Sequence, residues 1–94
     1  MHLKKQQKFQ ISDHIIATDI NHEMVLMDSA SGQYFSLNTI GALIFKHLQN
    51  NHDTQRITAL LTEEYSAENT TNIEKDVQEL LNTLIEKGII TPLP

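Results

Sequence analysis

Five histidines and the adjacent carboxylates Glu63-Glu64 are the side chains of this 94-residue chain that could do metal or acid–base chemistry. Their spacing argues against it. None of the histidines forms the i, i+4 helical pair or the short-loop pair that zinc favours, and His14, His22, His47 and His52 read as loop or surface residues. Glu63 and Glu64 are neighbours on an expected helix, so they point about 100° apart and do not converge on one substrate. The chain has no cysteine, which removes a disulfide framework, a thiolate zinc site, a cysteine nucleophile and a cysteine-ligated iron–sulfur cluster. No Gly-x-Ser-x-Gly elbow, phosphate loop or His-Glu-x-x-His motif occurs. The expectation is a protein with no metal, no cofactor and no catalytic residue of its own; cluster or radical chemistry would have to come from a partner.

What remains is main-chain chemistry, and it concentrates in residues 32–42, Gly-Gln-Tyr-Phe-Ser-Leu-Asn-Thr-Ile-Gly-Ala. A short strand here passes straight into a helix. Tyr34 to Leu37 interleaves Ser36 among apolar residues, as an edge strand does, whereas Met24-Val25-Leu26-Met27 is apolar on both alternating faces and reads as a central strand. Phe35 and Leu37 share one face and belong to the core; Tyr34 and Ser36 project to the other. An edge strand carries a row of unpaired N–H and C=O groups.

The elements that position this edge follow from period and punctuation. Ile15-Ile16-Ala17-Thr18-Asp19 has the β-branched density of a strand, and Asn21-His22 signals a tight turn into the Met24 strand. Residues 28–32 are turn formers, with Gly32 available for a positive φ. The first helix starts at Asn38 as N-cap, with Ile40, Leu43, Ile44 and Leu48 on one face, widened by Phe45. Gly41 inside it costs about 1 kcal/mol relative to alanine, which points to a close backbone approach. A second, short helix is expected over 54–65, with Asp53 or Thr54 as cap and Ile57, Leu60 and Leu61 inward. The third opens on the capping-box form Thr71-Asn72-Ile73-Glu74 and carries Ile73, Val77, Leu80, Leu81, Leu84 and Ile85 on one broad face. It stops at Gly88. A brief extended segment at residues 89–91 precedes Pro92. Residues 1–11 read as a flexible arm that only Phe9 and Ile11 could anchor, and 12–91 as one α+β domain, a three-stranded antiparallel sheet followed by three helices.

Charge and length narrow the partners. The formal charge is −5 and the basic residues are thinly spread apart from Lys4, Lys5 and Lys8, so nucleic acid would meet a like-charged surface. No apolar stretch approaches the roughly 20 residues that span a bilayer, and no secretory signal opens the chain. No membrane partner and a cytoplasmic location are the expectation. A chain of this size builds one modest core and no spacious enclosed active site.

Three stretches together resemble the PqqD-like family, small domains that recognise the leader segments of ribosomally made precursor peptides. They are Asp28 with residues 32–42, the helix text Asp76-Val77-Gln78-Glu79-Leu80-Leu81-Asn82-Thr83-Leu84, and Gly88. The resemblance covers residues 12–91 and implies a winged helix-turn-helix-like domain. In that family the leader adds as a further strand beside the edge strand and packs apolar side chains toward the last helix. Carried onto this sequence, it puts the peptide along Gln33, Tyr34, Phe35, Ser36 and Leu37. Opposite them stand Asp76, Val77, Glu79, Leu80 and Thr83, which step along the helix at spacings of three and four. The implied partners are a precursor leader peptide and a separate enzyme, either a lasso-peptide leader peptidase or a radical-SAM maturase, with the chain itself a monomer or homodimer.

Two other readings stand beside it. In a winged-helix DNA-binding regulator the last two helices would be the helix-turn-helix pair, yet residues 73–87 carry two lysines against four acidic residues. A structural dimerisation module would cap the open strand with a second copy.

Overall fold

The computed structural model describes residues 6–64 and 70–94, with side chains in the second stretch from residue 73 onward. The chain runs β1 (Phe9–Ile11), β2 (Ile15–Ile20), β3 (Glu23–Asp28), β4 (Tyr34–Leu37), α1 (Thr39–Gln49), α2 (Thr54–Glu64), α3 (Thr70–Glu86) and β5 (Ile90–Pro92). Strands β2, β3 and β4 form an antiparallel sheet in that order, with β3 central as its two-sided apolar pattern requires. One face of this sheet meets the helices through Met24, Leu26 and Leu37, all buried.

The two hairpins are set by local chemistry. Asn21 and His22 take φ of 49° and 70°, the pair of positive values that a two-residue hairpin turn of the favoured hand needs. In the β3–β4 connection the Asp28 carboxylate accepts the amides of Ala30 at 2.9 Å and Ser31 at 3.3 Å. Gly32, at φ 77°, donates to the Asp28 carbonyl, and the Asp28 amide donates to the Gln33 carbonyl. This is a glycine bulge opposite Asp28, and it fixes the register of β4.

The helix termini are equally local. Asn38 caps α1 by accepting the Gly41 amide at 2.9 Å, and Asp53 caps α2 by accepting the Arg56 amide at 2.8 Å. Helix α3 ends in a Schellman arrangement, with Gly88 at φ 75° donating to Ile85 and Ile89 donating to Leu84. The Thr71 side chain on which the capping box expected at its start depends, like the final residue of the expected 54–65 helix, lies outside what is described. A Cβ on Gly41 would stand 3.3 Å from both Leu37 Cβ and Cδ2, so glycine there is what lets α1 fold back onto the end of β4.

One expectation is corrected. The end of the N-terminal arm is not loose: Phe9–Ile11 is a strand, paired antiparallel with β5 in the register Phe9↔Pro92, Gln10↔Thr91 and Ile11↔Ile90. Phe9 is buried in the same cluster as Phe45, Leu48 and Ile90. The polar surroundings of Phe9 hid this, because a three-residue strand shows too little alternation to read and gains its stability from a partner 80 residues away. Thr54 is tied to this ribbon, its amide and hydroxyl both donating to the Gln7 carbonyl.

Candidate functional site

Antiparallel strands expose their backbone groups alternately, and the register shows which groups of β4 are free. Because Asp28 and Gln33 make a hydrogen-bonded pair, Phe35↔Leu26 and Leu37↔Met24 are bonded pairs as well, and Tyr34 and Ser36 turn their N–H and C=O groups away from β3. Those groups line an edge that no other described strand occupies.

Beside this edge runs a cleft of about 430 Å³. Phe35, Ser36 and Leu37 form one wall, Asp76, Glu79, Leu80 and Thr83 of α3 the other, and Asn38, Ile40, Gly41 and Ile44 close its end. The geometry of α3 separates two stripes. Ile73, Val77, Leu81 and Leu84 are buried in the core, whereas Asp76, Leu80 and Thr83, again three or four apart, lie on the adjoining stripe and face the cleft. Thr83 turns its hydroxyl back to the Glu79 carbonyl at 3.0 Å, which leaves its methyl side to pack.

A smaller pocket of about 100 Å³ opens at the other end of β4, lined by Gln33, Tyr34, Phe35 and Lys87 with Ile15, Leu26, Asp28 and Ile89. Lys87 Nζ lies 5.0 Å from the centroid of the Phe35 ring, a cation–π contact worth roughly 0.5–1 kcal/mol at an exposed site. Burial pushes the Asp28 carboxyl upward, but the Ala30 and Ser31 amides and nearby His14 outweigh it and hold the group below the usual carboxylate range. Asp28 is therefore a charged fixture of the turn that presents Gln33.

Nine of the ten expected site residues line these two hollows. Val77 does not: it is fully buried, because four-residue steps put it in line with Ile73 and Leu81 rather than with Asp76. Conversely, Ile40 was expected on the inward face of α1 and is 38% exposed, lining the cleft. Asn38, Gly41 and Ile44 were not anticipated as lining residues. Their signal was present, since a strand that passes into a helix through one residue must place that helix's first turn at the end of any groove the strand borders. Among the described residues no three His, Cys, Asp or Glu side chains gather as a metal would need, and no helix is long and apolar enough to cross a membrane.

An unpaired strand edge with a helix-walled cleft alongside defines a class of small peptide-receiving domains, which add an extended segment to their own sheet. The family whose pattern matches here is "Coenzyme PQQ synthesis protein D (PqqD)", over residues 23–90. The chain belongs to the PqqD family. Among solved structures it is similar to a lasso peptide synthetase B1 complexed with the leader peptide, at 34% identity and a TM-score of 0.77 over 93% of this chain and 99% of that one. It is also similar to TbiB1 in complex with the TbiA(beta) leader peptide, at 28% identity and a TM-score of 0.78 over 86% of this chain and 93% of that one. No curated protein matches the chain.

Proposed function

We propose that this protein binds the leader segment of a ribosomally made precursor peptide as an added strand beside β4 and presents it to a separate maturation enzyme, itself performing no chemistry. The observation that carries the reading is the outward row of N–H and C=O groups at Tyr34 and Ser36, bordered along its length by the α3 cleft. Main-chain bonds supply affinity that is independent of sequence, while the cleft and the Lys87 pocket select side chains at alternate positions. Likeness to two domains solved with leader peptides supports the choice of ligand. Of the two enzymes implied by family, likeness to the lasso peptide synthetase B1 favours lasso-peptide processing, and so a leader peptidase as partner.

Titration calorimetry with the leader peptides of the two neighbouring complexes tests the proposal. One peptide per protein is expected, with the peptide's mass unchanged after incubation. Absence of binding to all of them, or cleavage of the peptide by this protein alone, contradicts it.

A further inference from the structure

The cleft beside β4 has charge of one sign only. Asp76 and Glu79 line it, and no lysine, arginine or histidine does. Both carboxylates belong to exposed residues, and no ion pair among the described residues engages either. Three residues apart on one helix, their Cβ atoms lie about 5–6 Å from each other, which brings two like charges to the same wall. Lys75 points about 100° away from Asp76; it stands one turn before Glu79 on the same face but is not within ion-pair distance of it. Lys87 is drawn over Phe35 at the far end of the site, roughly 12 Å further along the helix than Glu79 at 1.5 Å per residue. The apolar walls given by Ile40, Ile44 and Leu80 lower the local dielectric and strengthen any charge pair formed between them.

Resting on leader binding at β4, we infer that Asp76 and Glu79 are specificity-determining residues that require a lysine or arginine in the bound peptide, on a side chain facing α3 near the Leu37 end of β4. The period of a strand fixes what accompanies it. Side chains of an added strand face α3 at every second position, so the residue two places toward the Phe35 end meets Leu80 and Phe35 and is apolar. The preferred ligand is an extended segment in which a basic and an apolar residue flank one residue of free choice. A peptide with an acidic residue at the first place would bring a third negative charge into the cleft and be repelled as it docks.

Selection of short random peptides on the intact protein tests this without a known ligand. Selected peptides are first checked for loss of binding to a Ser36→Pro protein, which assigns them to β4. Peptides enriched on the native protein are expected to carry Lys or Arg at one fixed place, two residues from an apolar one. Those enriched on D76K/E79K should carry Asp or Glu there. Changing that Lys to Glu in one selected peptide should weaken binding on the order of tenfold at low salt and about twofold near 0.5 M salt, since surface pairs are screened. The near-isosteric D76N/E79Q, verified as folded by circular dichroism, should abolish the preference while leaving apolar selection intact. Peptides that compete at β4 but show no fixed basic place, or whose preference survives in D76N/E79Q and D76K/E79K, overturn the charge selection and leave leader binding standing. If no Ser36-dependent peptide is enriched on any of the proteins, leader binding at β4 fails and the charge selection falls with it.

Discussion

The sheet has two open edges, and only one has a helix-walled cleft alongside it. Strand β2 is longer than β4, and by the same alternation it turns the backbone groups of Ile15, Ala17 and Asp19 outward. What it lacks is a wall. Strand β2 has its closest contacts with β3, and its Asp19 side chain, on the same face of the sheet as Met24, pairs with Lys46 of α1 at 3.6 Å. Charges on an edge are a common guard against unwanted pairing. Strand β4 has the α3 stripe and the first turn of α1 along its side. An open edge thus becomes a receptor only when a neighbouring element offers the incoming side chains a place to go. Each main-chain hydrogen bond returns only about 0.5–1.5 kcal/mol net, too little without side-chain burial to offset the ordering of a docked peptide.

The largest effect expected from this contrast is on proline. Proline at Ser36 removes an outward N–H without breaking the ladder to β3, and proline is tolerated at such positions of edge strands. Ser36→Pro should weaken leader binding tenfold or more by calorimetry, with a melting curve close to native. The matching Ala17→Pro removes an outward N–H of β2 and should leave affinity unchanged. Equal losses from both would mean that the sheet as a whole, and not β4, carries binding.

A smaller effect separates the two stripes of α3. Val77→Ala opens the core and should cost about 1–3 kcal/mol of stability, with the affinity of the folded protein unchanged. Leu80→Ala truncates a half-buried cleft wall and should lower affinity several-fold at less cost in stability. Thermal melts run beside each titration distinguish the two outcomes, and the reverse assignment would mean that α3 is rotated about its axis relative to β4.

The smallest effect belongs to pH and lies far from the cleft. His52 stacks on His47 with ring centroids 5.3 Å apart. Burial first, then Arg56 and His47, press its pKa below the ordinary 6.5, against the opposing pull of Asp53. A histidine with a depressed folded-state pKa favours the folded protein when neutral. Its contribution is fully present above pH 6.5 and is lost as pH falls through the folded value. Melting temperature should therefore decline on acidification from pH 7.5 to about 5.5, and His52→Gln should flatten part of that decline while leaving leader affinity at neutral pH untouched. An unaltered slope in His52→Gln would assign the decline to other groups.

Much of this was legible in the sequence because it is local. The Asn38 cap, the positive φ at Gly32, the stop of α3 at Gly88, the central position of β3 and the edge character of β4 each depend on residues a few places apart. The misses are non-local or angular. Strand β1 takes its stability from β5 at the other end of the chain; Phe9 and Ile11 were readable as anchors, but nothing near them names β5 as the partner. Val77 and Leu80 are both apolar on one broad stripe, and only the packing of α3 decides which faces the core and which the cleft. Ile40 followed the α1 apolar pattern inward, but the turn at Asn38 rotates the first helical residues toward the groove.

Amide hydrogen exchange with and without a leader peptide tests the central claim most directly, because it reads the backbone groups in question. Added-strand binding predicts that the amides of Tyr34 and Ser36 gain strong protection on peptide addition, that Phe35 and Leu37, already bonded to β3, change less, and that Ala17 and Asp19 on the opposite edge do not change. Peptide binding that leaves Tyr34 and Ser36 exchanging at their free rates, or that protects Ala17 and Asp19 in their place, would contradict strand addition at β4.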